Sequence, residues 1–144
     1  DYIHDPARIG KLSRVISING GVQVDLMGQE NAESANGMQL SGIGGQMDFL
    51  EGAFRSEGGC GYICINSSRL TKDGVRKSNI LPFIPGGSTV SAPRTLIEAV
   101  ATEYGIAHLA GKSLAERREA MIAIAHPDFR DALRSEKPDL SRFL

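Results

Sequence analysis

Cysteine is scarce in this 144-residue chain: Cys60 and Cys64 are the only two, both within Gly59-Cys-Gly-Tyr-Ile-Cys64. Their spacing matches neither a zinc-ligand nor a thioredoxin pattern, and no second pair exists to complete one. On a strand, period 2 puts both thiols on the same side. They read as buried free thiols, which suits a reducing cytoplasm. Neither charge sign is in surplus, with 16 Lys and Arg against 17 Asp and Glu. A net charge of −1 offers nucleic acid no basic field. No apolar run approaches the ~20 residues of a membrane helix, and no secretory-type apolar segment opens the chain. Internal repeats and low-complexity tracts are also missing. What is present is an ordinary globular composition, 41% hydrophobic, enough for one domain over residues 1–144 and too little for two.

Val15 to Ile18 and Val22 to Met27 read as two strands, joined by a tight turn at Asn19-Gly20. Gly28 to Gln39 is polar and reads as a loop or irregular return. Gln46 to Phe54 opens a short helix with Asp48 in its first turn. Tyr62 to Ile65 reads as a buried strand, Thr71 to Gly74 as a surface turn and Asn79 to Ile84 as a strand. Pro93 argues against a central strand near Val90. Leu96 to Ala101 reads as a strand or a helical turn feeding one. Ser113-Leu-Ala-Glu116 is a capping box. Leu114, Met121, Ile122 and Ala125 follow at helical spacing, with Arg117, Arg118 and Glu119 pointing outward. Pro127 ends that helix, and a second one pairs Phe129 with Leu133. Strands mixed with helices give an α/β layered domain.

The densest chemistry lies in Ser41-Gly-Ile-Gly-Gly-Gln-Met-Asp-Phe49. Glycines serve where the backbone takes positive φ or must approach a ligand closely. A run of free N–H groups in such a turn holds a phosphate or a developing oxyanion. The spacing is not a dinucleotide fingerprint, because Met47 stands where the last glycine belongs. Gly105 to Ser113 mimics a P-loop, but five residues rather than four separate Gly105 from Gly111. Glu103 precedes Tyr104-Gly105, where a carboxylate can reach a cleft at a strand end or remain an ordinary surface group. His108 reads as an exposed loop residue. His126 reads as a cap at a helix end, where partial positive charge is favourable.

Four segments in this order resemble the C-terminal part of the acetyl-CoA hydrolase/transferase family, nearest to 4-hydroxybutyrate CoA-transferases and related short-chain acyl-CoA transferases. They are the glycine turn, Thr102-Glu-Tyr-Gly-Ile-Ala107, Gly111-Lys-Ser-Leu-Ala-Glu-Arg117 and Ile124-Ala-His-Pro-Asp-Phe-Arg130. The likeness begins at Asp1-Tyr-Ile-His-Asp-Pro6, passes through Ser17-Ile-Asn19 and Val24-Asp-Leu-Met-Gly-Gln29, and ends near Arg134. It implies a layered mixed sheet with flanking helices, the NagB/RpiA-like CoA-transferase type of C-terminal domain. The implied activity of the intact enzyme is transfer of CoA between a short-chain acyl-CoA and a carboxylate such as acetate, butyrate, 4-hydroxybutyrate or itaconate. Acyl-CoA hydrolysis is the nearest rival, and a non-catalytic domain that completes the fold or binds a partner is another. Coenzyme A is a substrate that behaves like a cofactor, and no metal is implied. The implied partners are acyl-CoA, a small carboxylate, the N-terminal half of the same enzyme and further copies in a homo-oligomer. Neither nucleic acid nor membrane is among them.

The resemblance also assigns residues. Gly45, the second of the paired glycines, offers its N–H to the thioester oxygen, with Gly44, Gln46 and Asp48 completing the signature around it. Asp48 also reads simply as a cap of the following helix. Glu103 is the active-site acid, with Tyr104 and Gly105 beside it. His4 stands where the family shows Asn; histidine can donate one hydrogen bond as Asn does, but it is larger and titrates. The nucleophilic glutamate of the family, which forms a glutamyl–CoA thioester, lies upstream of the segment matching Asp1 to His4. Glu30 and Glu33 are not read as nucleophiles. This chain, opening on Asp rather than Met, is therefore expected to be the C-terminal portion of a longer protein and inactive alone. Ser91-Ala-Pro-Arg94 departs from the commoner Thr-Thr/Ser-Arg pattern and leaves the substrate open. Arg94 and Lys112 read as CoA-phosphate contacts or as ordinary surface cations.

Overall fold

A computed structural model describes residues 2–35 and 37–136. Asp1 of the N-terminal motif and Asn36 of the polar return lie outside them. The central layer is a four-stranded sheet. β1 (Ile16–Gly20) lies parallel to β6 (Cys60–Cys64), β6 parallel to β10 (Ala99–Thr102), and β10 antiparallel to β11 (Gly105–His108). A smaller sheet joins β2 (Gln23–Asp25) to β3 (Glu30–Asn31) on one side and to β9 (Ile80–Leu81) on the other. Two hairpins complete the strands: β4 (Ser34–Ala35) with β5 (Met38–Gln39), and β7 (Ser68–Leu70) with β8 (Arg76–Ser78). The helices are α1 (Pro6–Ile9), α2 (Gln46–Arg55), α3 (Leu114–Ala123) and α4 (Pro127–Ser135).

Alternation along the strands decides which face the helices cover. Gly61, Ile63, Val100 and Ala107 turn inward and are buried. They form one core with Leu50 of α2 and with Met121 and Ile122 of α3. Two glycines set the approach of the layers. A Cβ on Gly61 would lie 2.7 Å from Leu50 Cδ2, so α2 rests directly on β6. A Cβ on Gly52 would lie 2.4 Å from Ile9 Cγ2, so α1 rests directly on α2.

The opposite face of the same sheet is open. Ile16, Ile18 and Ile106 are more than half exposed there. In register, Ile16 flanks Cys60, Ile18 flanks Tyr62, and Cys64 flanks Ala101, which flanks Ile106. The two thiols do share a side, but it is this open one: Cys64 is exposed and Cys60 half-buried, which corrects the expectation of buried thiols.

Asn19-Gly20 also departs from expectation. No hairpin forms; both residues extend β1 and pair with Ile63 and Cys64. β1 and β2 belong to different sheets. Pairing with β6, some forty residues away, overrides the local turn signal. Gly28 to Gln39 contains three short strands rather than a plain loop. Buried side chains organise it. Asp25 Oδ1 accepts from the N–H groups of Met27 and Gln29, and Asn31 Oδ1 from those of Glu33 and Ser34.

The capping box forms as expected, with Ser113 and Glu116 bonded reciprocally, and Pro127 opens α4. Leu114 is exposed, however, and Arg117 and Arg118 turn inward. Arg117 donates to the carbonyls of Met27 and Arg94, and Arg118 to those of Leu133, Arg134 and Glu136 at the end of α4. Each guanidinium fork satisfies carbonyls that side chains would otherwise leave to water.

Candidate active site

Parallel strands of an open α/β sheet expose a crevice beyond their carboxyl ends. Here a crevice of about 430 Å³ lies there, lined by Gly21, Cys64, Ile65, Asn66, Ala101 and Thr102. These residues end, or directly follow, β1, β6 and β10. The expected site residues gather as two groups.

The first group is built on the N-terminus of α2. Gly44 takes φ +60°, a conformation that favours glycine, and Gly45 is the N-cap. No side chain caps this end, so the first-turn N–H groups lack the partners that helix geometry denies them. Gly45 has an unstrained φ of −92°, so its need for glycine is different. The His4 ring occupies the space of a side chain, 2.7 Å from where a Cβ would stand. His4 meets Phe49 edge to face at 5.3 Å, and its Nδ1 lies 3.6 Å from Asp48 Oδ2. Asp48 is in the first turn of α2, where negative charge is favourable, and makes no capping bond to that helix end. Gln46 turns inward and donates from Nε2 to Glu30 Oε2 at 2.9 Å.

The second group is built on the β10–β11 turn. Glu103 accepts from the Ser67 N–H at 2.9 Å and from the Ser67 hydroxyl at 2.5 Å. What burial Glu103 has pushes its carboxyl up, but the Ser67 hydroxyl and amide, with His126 nearby, outweigh that and leave it below its ordinary value. It is an ionised carboxylate at neutral pH, held in one orientation. Tyr104 is partly exposed, edge to face with His126 at 5.5 Å and 5.6 Å below the Arg130 guanidinium. Gly105 takes φ +136°, which closes the turn and is open to glycine alone. His126 caps the start of α4 rather than a helix C-terminus: its Nδ1 accepts from the Asp128 N–H at 3.3 Å. His108 is exposed, as expected, but it ends β11 rather than lying in a loop.

Among the described residues, no hydrogen bond or ion pair joins the two groups. None of the expected site residues lines the crevice itself; its wall adjoins residues of both groups. Gly21 lines the crevice and lies against Glu30, the partner of Gln46. Thr102 and Asn66 line it too and adjoin Glu103 and Ser67. Glu30, Ser67 and Gly21 carry no motif, and sequence reading missed them. A charge within a stretch that returns to the core was the one available signal. Among the described residues, no three His, Cys, Asp or Glu side chains cluster as metal ligands do. No described helix is long and apolar enough to cross a membrane.

The mixed sheet with flanking helices, a crevice at its strand ends and an uncapped helix on a glycine turn define a CoA-transferase-type α/β domain. Residues 1–137 match the acetyl-CoA hydrolase/transferase C-terminal domain, and the chain belongs to that family. It is 47% identical over 133 residues to the butyryl-CoA:acetate CoA-transferase of Anaerostipes caccae, covering 92% of this chain and 30% of that protein. It is 46% identical to the 4-hydroxybutyrate coenzyme A transferase of Clostridium kluyveri, covering 94% and 31%. The crystal structure of RipA from Yersinia pestis superposes with a TM-score of 0.82 at 42% identity, over 93% of this chain and 29% of that one. This chain thus spans about 30% of the length of the curated relatives it matches.

Proposed function

We propose that this domain supplies one wall of a CoA-transferase site that moves CoA between a short-chain acyl-CoA and a carboxylate of the acetate, butyrate, 4-hydroxybutyrate or itaconate type. The nucleophilic glutamate comes from polypeptide upstream of this chain. Its carboxylate attacks the thioester carbonyl, the carbonyl electrons move onto oxygen, and CoA thiolate leaves on collapse. The thiolate then attacks the glutamyl carbonyl, releasing the first carboxylate and leaving the glutamyl–CoA thioester. In each addition the charge on oxygen is met by the Gly45 N–H, with Gly44 shaping the turn. Gln46 and Asp48 hold the turn from below and beside. His4 closes the pocket over Gly45. Glu103, with Tyr104 and Gly105, lines the acyl side; already ionised, it orients donors on the substrate rather than giving up a proton. No metal is called for, because backbone dipoles and positioning supply the stabilisation. The intact enzyme is cytoplasmic and homo-oligomeric in this reading.

The observation that carries this reading is Gly45, a glycine demanded by a neighbouring ring at an uncapped helix start, within a chain of this family. Hydrolysis is the second reading, since the family description names hydrolases as well; it differs only in letting water reach the intermediate. Titration of acetyl-CoA and free CoA into the chain by calorimetry tests the site. Gly45→Ala and Gly45→Pro both crowd His4, but only proline removes the N–H. Saturable binding weakened further by proline than by alanine is expected. Equal effects would remove Gly45 N–H from the site.

A further inference from the structure

Glu30 is fully buried, and its main chain is tied to the 91–92 segment: its N–H donates to the Ala92 carbonyl at 3.1 Å, and its carbonyl accepts from Ser91 and Ala92. One carboxyl oxygen, Oε2, takes the Gln46 amide. The other, Oε1, is buried without a hydrogen-bond partner. Opposite it stands Gly21, whose missing side chain makes the room: a Cβ there would lie 2.7 Å from Oε1 and 3.1 Å from Ile65 Cγ2. From α2 the group facing Glu30 is the uncharged Gln46; the charged group that bears on it is Glu33, two residues beyond β3. An ionised carboxylate at this place has one donor for two oxygens and an anion nearby, which is costly. A neutral acid costs less: Oε2 accepts from Gln46, the proton rides on Oε1, and one unpaired O–H replaces a buried charge. Burial, reinforced by Glu33 and opposed by the Gln46 bond, agrees with that, pushing the carboxyl up to about 7.

We propose that Glu30 is a positioning residue for the glycine turn, whose protonated carboxyl group holds the Gln46 side chain and through it the adjacent Gly45 N–H. On losing its proton the carboxylate needs further donors and turns toward water, drawing Gln46 with it. Gln46 directly follows Gly45 in the chain, so the turn moves as Glu30 titrates. Its effect on CoA binding rests on the function proposed above; the coupling itself does not.

The test is a ¹⁵N NMR titration of this chain from about pH 5.5 to 8.5, a span that brackets the raised Glu30 carboxyl and ordinary imidazole ionisation. The Gln46 side-chain amide and the Gly45 backbone amide are followed in wild type, Glu30→Gln and His4→Asn. Glu30→Gln keeps the size and the acceptor while removing the proton. Both signals are expected to move through one shared midpoint near neutrality in wild type and His4→Asn, and to stay flat in Glu30→Gln. Flat signals in wild type would overturn the assignment. So would a midpoint that survives Glu30→Gln and vanishes in His4→Asn, which gives the proton to His4. CoA affinity is expected to fall by roughly threefold or more across the midpoint in wild type and not in Glu30→Gln. CoA binding indifferent to the titration would overturn the positioning role. A shared midpoint with no CoA binding at any pH upholds the coupling and counts against the proposed function instead.

Discussion

Gly45 owes its identity to packing, and that makes a sharp prediction. Alanine there displaces the His4 ring and costs about 1 kcal/mol in chemical denaturation; in a His4→Ala background the loss disappears, as contacting residues couple. Glu30 makes a second. Its folded-state carboxyl lies near 7, above the ordinary carboxylate value of 4.5. Between those values the native state holds a proton that the unfolded chain has released, so stability falls as pH rises through that window and levels off above it. Glu30→Gln removes this slope. Unfolding free energies from urea melts are expected to match wild type near pH 4.5 and to exceed it near pH 8 by on the order of 1–3 kcal/mol. A wild-type stability that does not fall between those pH values would count against a neutral Glu30.

Elements whose signals are local were legible in the sequence. Ser113 and Glu116 announced the start of α3, Pro127 the start of α4, and the glycine turn the start of α2. Ser113→Ala is expected to lower stability by about 1 kcal/mol, read from thermal or urea unfolding. Elements defined by distant partners were less legible. Asn19-Gly20 has the chemistry of a tight turn, but β6 recruits both residues into β1. The two arginines of α3 looked solvated because nothing in the sequence shows that carbonyls of the 27, 94 and 133–136 segments converge on them. The same limit applies at the candidate site. Motifs singled out Gly45 and Glu103 as candidates, and the structure sets Glu103 on Ser67 and Gly45 under His4. Glu30 was passed over because its significance lies in which oxygen finds no partner.

At the scale of the molecule, the helices cover one face of a largely parallel sheet and, among the described residues, leave the other bare. Such sheets are normally covered on both faces. We propose that upstream polypeptide of the same enzyme covers Ile16, Ile18 and Ile106. The isolated chain is then expected to self-associate through this face. Ile18→Lys should suppress that in sedimentation velocity while changing stability by about 0.5 kcal/mol or less, as at an ordinary surface position. Association unchanged by the lysine would place the contact elsewhere. The chain alone is expected to release no CoA thiol from butyryl-CoA in a thiol-trapping assay, because the function proposed above takes its nucleophile from upstream polypeptide. Turnover by the isolated chain would move the nucleophile into it.

The His4–Gly45 contact also governs delivery. His4, just ahead of α1, is pressed on the glycine turn. A group joined to the backbone four residues ahead of His4 is therefore attached within about 14 Å of the His4 Cα. Such a tether presents its cargo to the turn at an effective concentration in the millimolar range. Such a short leash would let a weak electrophile or fluorophore fixed at that position sample the glycine turn continuously, with no affinity of its own.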